Sequence, residues 1–126
     1  MNGMNQKSAI EIVKKYIDFL KEIKIAIKKA YIFGSFARGT HIQDSDIDLA
    51  LILNNISNQF TMQVELMKLG RKIDTRIEPH PIDEEDFNES NPFANEVIRT
   101  GIEIEWKALS TFQIAKIYIL LSWLIE

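Results

Sequence analysis

The sequence predicts a mixed α/β (α+β) fold, with one small sheet covered by helices, and three observations carry that prediction. Stretches with helical periodicity alternate with short apolar runs of strand length. The segment Ile47–Leu53 is apolar at six of its seven positions, as expected of a strand covered on both faces. A length of 126 residues leaves room for one hydrophobic core.

Taken in order, apolar residues recur at Ile10, Val13, Ile17, Leu20 and Ile27 among lysines and glutamates, which predicts an amphipathic helix from Ser8 to Lys29. The aromatic and β-branched run Ala30-Tyr31-Ile32-Phe33 reads as a buried strand entering a tight turn at Gly34. After the strand Ile47–Leu53, a second helix is expected from Ser57 to Gly70, with Phe60, Val64 and Met67 at helical spacing. Lys72 to Glu78 reads as a further strand, ended by Pro79 and Pro81, and Asp83 to Asp86 as a loop or single helical turn. Phe93 to Thr100 reads as a helix that Gly101 ends, and the alternation Ile102-Glu103-Ile104-Glu105-Trp106 as a half-exposed last strand.

The expected domain spans residues 1–109, followed by an apolar C-terminal helix over 110–126. Phe112, Ile114, Ile117, Leu120, Leu121, Trp123 and Leu124 leave that tail few polar positions, yet it is interrupted by Lys116 and falls short of the roughly 20 apolar residues of a membrane span. It reads either as a helix packed on its own domain or as one that docks on another subunit or a partner, since so apolar a surface is a liability when exposed.

The formal charge of -3 lacks the basic excess of a chain that grips a nucleic-acid backbone, so no stable nucleic-acid binding is expected, whereas a small nucleotide is compatible with a few placed cations and a metal. With no cysteine, disulfides and thiolate metal sites are excluded, and without a cleavable signal pattern a cytoplasmic location is expected.

The informative stretch is Gly34-Ser35-Phe36-Ala37-Arg38-Gly39, followed after ten residues from Ser35 by Asp46-Ile47-Asp48. Gly34 lets the backbone turn sharply and approach a ligand. Ser35 sits where a helix N-terminus offers its hydroxyl and free N–H groups to phosphate, and Arg38 and Gly39 belong to the same turn. Asp46 and Asp48, two apart at a strand's start, send both carboxylates to one face. Alone they would repel; magnesium with triphosphate oxygens supplies the missing charge and ligands. A third carboxylate would help, and on the expected strand Asp74, Arg76 and Glu78 alternate onto one face. Asp74 or Glu78 fits the role, with Asp74 preferred because Glu78 precedes a proline. Arg76 either binds phosphate or pairs with these carboxylates. His41 and His80 have no partner at metal-ligand spacing and read as loop or packing residues, and the charged run Asp83 to Glu89 as solvated surface.

Gly34-Ser35, ten residues, then Asp46-x-Asp48 resembles the signature of the minimal nucleotidyltransferases (MNT) of the DNA polymerase beta-like superfamily, with looser similarity from about Ile10 to Trp106. The resemblance implies a mixed sheet, a nucleoside triphosphate such as ATP as donor, and nucleotidyl transfer to a hydroxyl with release of pyrophosphate; two magnesium ions are expected on Asp46, Asp48 and the third carboxylate, Asp74 in preference to Glu78. It also implies a partner: such proteins work as antitoxins beside a small helical HEPN toxin, and some transfer AMP to a toxin tyrosine. The alternative is an antitoxin that binds nucleotide without catalysis and neutralises its partner by contact. A homo-oligomer is compatible with either reading.

Overall fold

The computed structural model describes residues 4–106 and 111–125. Its elements are α1 (Gln6–Glu22), β1 (Ile27–Phe33), α2 (Ser35–Arg38), β2 (Ile47–Leu53), α3 (Gln59–Gly70), β3 (Ile77–Asp83), a 3-10 turn (Glu84–Asp86), α4 (Pro92–Thr100), β4 (Ile102–Glu103) and α5 (Thr111–Ile125). The strands form one sheet in the order β3-β2-β1-β4, with β2 and β3 parallel and the other pairs antiparallel. The mixed α/β expectation holds.

Alternation along the strands gives the sheet two unlike faces. Ala30, Ile32, Leu49, Leu51 and Ile77 join Val13, Tyr16, Ile17 and Leu20 of α1 and Leu66 of α3 in the main core. Each large side chain fully buried there contributes about 1.5–3 kcal/mol. The Tyr16 hydroxyl donates to the Leu66 carbonyl at 2.7 Å, which ties the two helices together and satisfies that buried hydroxyl; burial pushes its phenol pKa up. Tyr31, Ala50, Ile52 and Ile82 point the other way, against Val97 of α4. By the same period of two, Phe33, Asp48, Glu78 and His80 continue this second face, and the reactive groups gather there.

Three boundaries differ from those expected. α1 starts at an Asn5 cap whose side chain accepts from the Ser8 N–H at 2.8 Å, and it stops at Glu22 rather than Lys29 because Lys24 takes a left-handed conformation (φ 68°). Ile27 therefore opens β1, paired with Leu53, instead of continuing the helical stripe. In α3, capped by Asn58, Leu66 and Gly70 are the buried positions while Phe60 is 76% exposed. The strand expected over Lys72–Glu78 is displaced to Ile77–Asp83 and runs through both prolines. β3 is an edge strand, and the Pro79 and Pro81 carbonyls accept from the Gln63 and Gln59 side-chain amides of α3. Those positions face away from β2, so the N–H that proline lacks is not missed.

The last strand reaches only Glu103, although the Ile104 N–H still donates to the Ala30 carbonyl at 2.8 Å. α5 carries apolar residues on all sides, and Phe112, Tyr118, Trp123 and Leu124 are 73–82% exposed. Among the described residues no helix is long and apolar enough to cross a membrane.

Candidate active site

The site forms where β1 ends, β2 begins and β3 begins. Phe33 pairs with Asp48 across the antiparallel ladder, and Asp48 with Glu78 across the parallel one, so Asp48 stands between the turn after β1 and Glu78. Gly34 sits at φ 71°, ψ -147°, a conformation that an L side chain rarely adopts. A Cβ there would also overlap the Asp48 carboxylate oxygen, so the backbone approaches that carboxylate as only glycine allows. α2 follows immediately, and its first turn leaves N–H groups at Ser35 and beyond without helical acceptors, next to a half-buried Ser35 side chain. Arg38 is exposed at the end of this single turn, and Gly39 closes it in the left-handed region at φ 74°.

Asp46 is exposed immediately before β2, and Asp48 is half-buried within it. Glu78 interacts with both. Burial pushes its carboxyl above the ordinary glutamate range, Asp48 adds to the rise, His80 opposes it, and Asp46 adds charge and a hydrogen bond to the protonated form. The structure therefore places the Gly34 turn against Asp48, and Glu78 beside Asp48 and Asp46.

Asp74 is not among them. That residue lies in the turn ahead of β3, where its carboxylate accepts from the Arg76 guanidinium at 3.0 and 2.8 Å and from the Arg76 N–H at 2.9 Å. These bonds hold its carboxyl below the usual aspartate range. The preference for Asp74 rested on a strand over Lys72–Glu78; with β3 starting at Ile77, Glu78 is the residue in register with Asp48. Arg76 is likewise a partner of Asp74, and its carbonyl accepts from the Ile47 N–H at 2.7 Å, pinning the start of β3 to the start of β2.

The sequence reading also passed over His80. Its Nε2 lies 3.4 Å from Asp48 Oδ1 and 3.9 Å from Glu78 Oε1. These approaches are too long or misaligned to be hydrogen bonds, and Nε2 is buried without a partner. Asp48, Glu78 and His80 each offer a ligand atom within 4.8 Å of the others. Two carboxylates and an unsatisfied imidazole nitrogen around one point are a donor set that a divalent cation completes, so the residues present fit a metal. A signal existed in the sequence: His80 is two residues from Glu78 and shares its face once both are on a strand. His41, by contrast, stacks on Phe36 at 4.2 Å, a packing role as expected. A cleft of about 450 Å³ opens beside His80 and Phe93.

Comparison with known proteins agrees with this geometry. The family described as polymerase beta, nucleotidyltransferase matches residues 14–107. A Methanocaldococcus jannaschii protein named "putative protein adenylyltransferase" is 31% identical over 102 residues, covering 78% of this chain and 96% of its own length. Among solved structures, a "putative nucleotidyltransferase" from Sulfolobus solfataricus superposes with a TM-score of 0.57 at 21% identity, covering 78% of this chain and 80% of that one. A chain of a toxin–antitoxin crystal structure with AMP-PNP gives 0.56 at 20% identity, covering 90% of this chain and 87% of its own. A chain of the complex between a tri-AMPylated Shewanella oneidensis HEPN toxin and its MNT antitoxin gives 0.52 at 18%, covering 93% and 90%. At these identities the structural likeness speaks for the fold.

Proposed function

The chain belongs to the polymerase beta nucleotidyltransferase family and is a nucleotidyltransferase; from that premise we propose that it moves AMP from ATP to a tyrosine hydroxyl of a helical HEPN-type partner and so acts as its antitoxin. The observation that carries this reading is the grouping of Glu78 with Asp48 and Asp46, with the Gly34 turn set against the Asp48 carboxylate. The adenylyltransferase name of the archaeal relative and the AMPylated toxin in a structural neighbour support the choice of AMP and of a protein acceptor.

In this reading the N–H groups at the start of α2 and the Ser35 hydroxyl hold the triphosphate, with Arg38 at the turn's end as a further phosphate contact. Asp46, Asp48 and Glu78 hold magnesium. When bound, the ions neutralise the triphosphate and stabilise charge on the attacking and leaving oxygens. Glu78, in register with Asp48, accepts the proton of the acceptor hydroxyl. The hydroxyl oxygen forms a bond to the α-phosphorus as the bond from that phosphorus to the bridging oxygen of pyrophosphate breaks. The acceptor comes from outside the domain, and the exposed apolar surface of α5 gives that partner a place to dock.

The test is incubation with ATP labelled in the α-phosphate, magnesium and the candidate partner. Covalent label on the partner that vanishes with Asp48→Asn is the expected result. A partner neutralised equally well by Asp48→Asn, without label, would replace transfer by contact inhibition.

A further inference from the structure

We propose that His80 is a metal ligand, making Asp48, Glu78 and His80 a mixed nitrogen–oxygen site that prefers a later first-row transition ion such as Co2+ or Zn2+ to magnesium. The inference rests on the acidic site of the proposed function and adds a nitrogen donor and an ion preference to it.

Three features of the structure carry it. The Nε2 of His80 is buried and without a hydrogen-bond partner, although two carboxylate oxygens lie 3.4 and 3.9 Å away. The Nδ1 of His41 is likewise buried without a partner, but His80 Nε2 alone of the two faces carboxylate oxygens. A cation between the three donors satisfies that nitrogen and removes the repulsion of the carboxylates. The ring is also held in place. It packs edge-on to Phe33 with centroids 5.1 Å apart and lies 6.1 Å from Phe93, and its partner in the ladder is the small Ala50. Finally, Pro79 and Pro81 on either side fix the backbone torsions that aim it. A preset imidazole is a poor donor for magnesium, which favours oxygen, and a good one for later divalent ions of the first transition row.

Nucleotide-free protein is titrated with Co2+, followed by its visible absorption, and with Mg2+ by calorimetry, using wild type, His80→Gln and Asp48→Asn. The expected result is a wild-type preference for Co2+, lost by roughly 10–100-fold in His80→Gln with little change for Mg2+, and loss of both ions in Asp48→Asn. Equal Co2+ affinity in wild type and His80→Gln, with binding abolished by Asp48→Asn, would overturn the role of His80 and leave the acidic site standing. Absence of Co2+ binding to the wild type would overturn this inference too, while the transfer assay with Mg2+ and ATP judges the proposed function separately. Ring-nitrogen NMR on the wild type with Zn2+ settles the matter if His80→Gln does not fold. The chain has two histidines, so a metal-shifted His80 signal beside an unmoved His41 is the expected pattern, and two unmoved signals refute it.

Discussion

Exchanging the two acidic residues around β3 separates a catalytic role from a structural one. Glu78→Gln removes the carboxylate in register with Asp48 and should slow transfer by roughly 10²–10⁴-fold, as expected for loss of a general base. In the metal-free protein the same change should raise the melting temperature slightly. Glu78 has its folded pKa above the unfolded value, so its favourable contribution is present at low pH and is lost as pH rises through the folded pKa; at neutral pH the ionised group opposes folding. Asp74→Asn should do the reverse. Asp74 holds Arg76 through two guanidinium bonds and one backbone N–H, and bonds to a charged group are worth about 1.5–3 kcal/mol each before screening. Arg76 is 38% exposed, which cuts the net loss to about 1 kcal/mol. That stability is present above the ordinary aspartate pKa and disappears as pH falls through the depressed folded value, so the difference from wild type should shrink in acid. Urea unfolding at neutral and acidic pH, with single-turnover transfer kinetics, reads both effects. Transfer crippled by Asp74→Asn but spared by Glu78→Gln would refute the assignment.

Three further outcomes follow from the same geometry. Gly34→Ala forces an L residue to φ 71° against the Asp48 carboxylate, and should cost about 1–3 kcal/mol of stability and most of the activity, measured by thermal melts and transfer assays. Ser35→Ala should weaken ATP binding by about 0.5–1.5 kcal/mol in calorimetry, the worth of one neutral hydrogen bond; an unchanged affinity would remove Ser35 from the phosphate cradle. Deleting Thr111 to Glu126 should abolish assembly with itself or a partner in size-exclusion chromatography while nucleotide binding survives, because α5 is exposed; unfolding with loss of nucleotide binding would make it part of the domain core.

Elements whose partners are implied by their own composition were legible in the sequence. Ile47–Leu53 forms the expected strand because an all-apolar run with one carboxylate has few other uses, and the helix expected over Phe93–Thr100 forms with Gly101 at its end, starting one residue earlier at Pro92. Gly34, Ser35, Asp46 and Asp48 were legible because a turn, a helix start and a strand start fall at fixed offsets. What the sequence hid depends on sheet order. Two prolines forbid a central strand but not an edge whose outward carbonyls meet Gln59 and Gln63, and only pairing with β2 tells the two apart. Misplacing β3 moved the third carboxylate to Asp74 and left His80 looking like a loop residue. The end of α1 was hidden for a similar reason, since Lys24 takes the left-handed turn usually left to glycine so that Ile27 can pair with Leu53.

The central claim is that a nucleoside monophosphate leaves this site for a hydroxyl, and the most direct measurement is a comparison of ATP labelled in the α-phosphate with ATP labelled in the γ-phosphate, using wild type and partner together. The account predicts α-label on the partner, γ-label recovered as pyrophosphate in equal amount, and both products formed roughly 10²–10⁴-fold more slowly with Glu78→Gln. Label on the partner from the γ-phosphate, or ATP bound and returned intact, would contradict it.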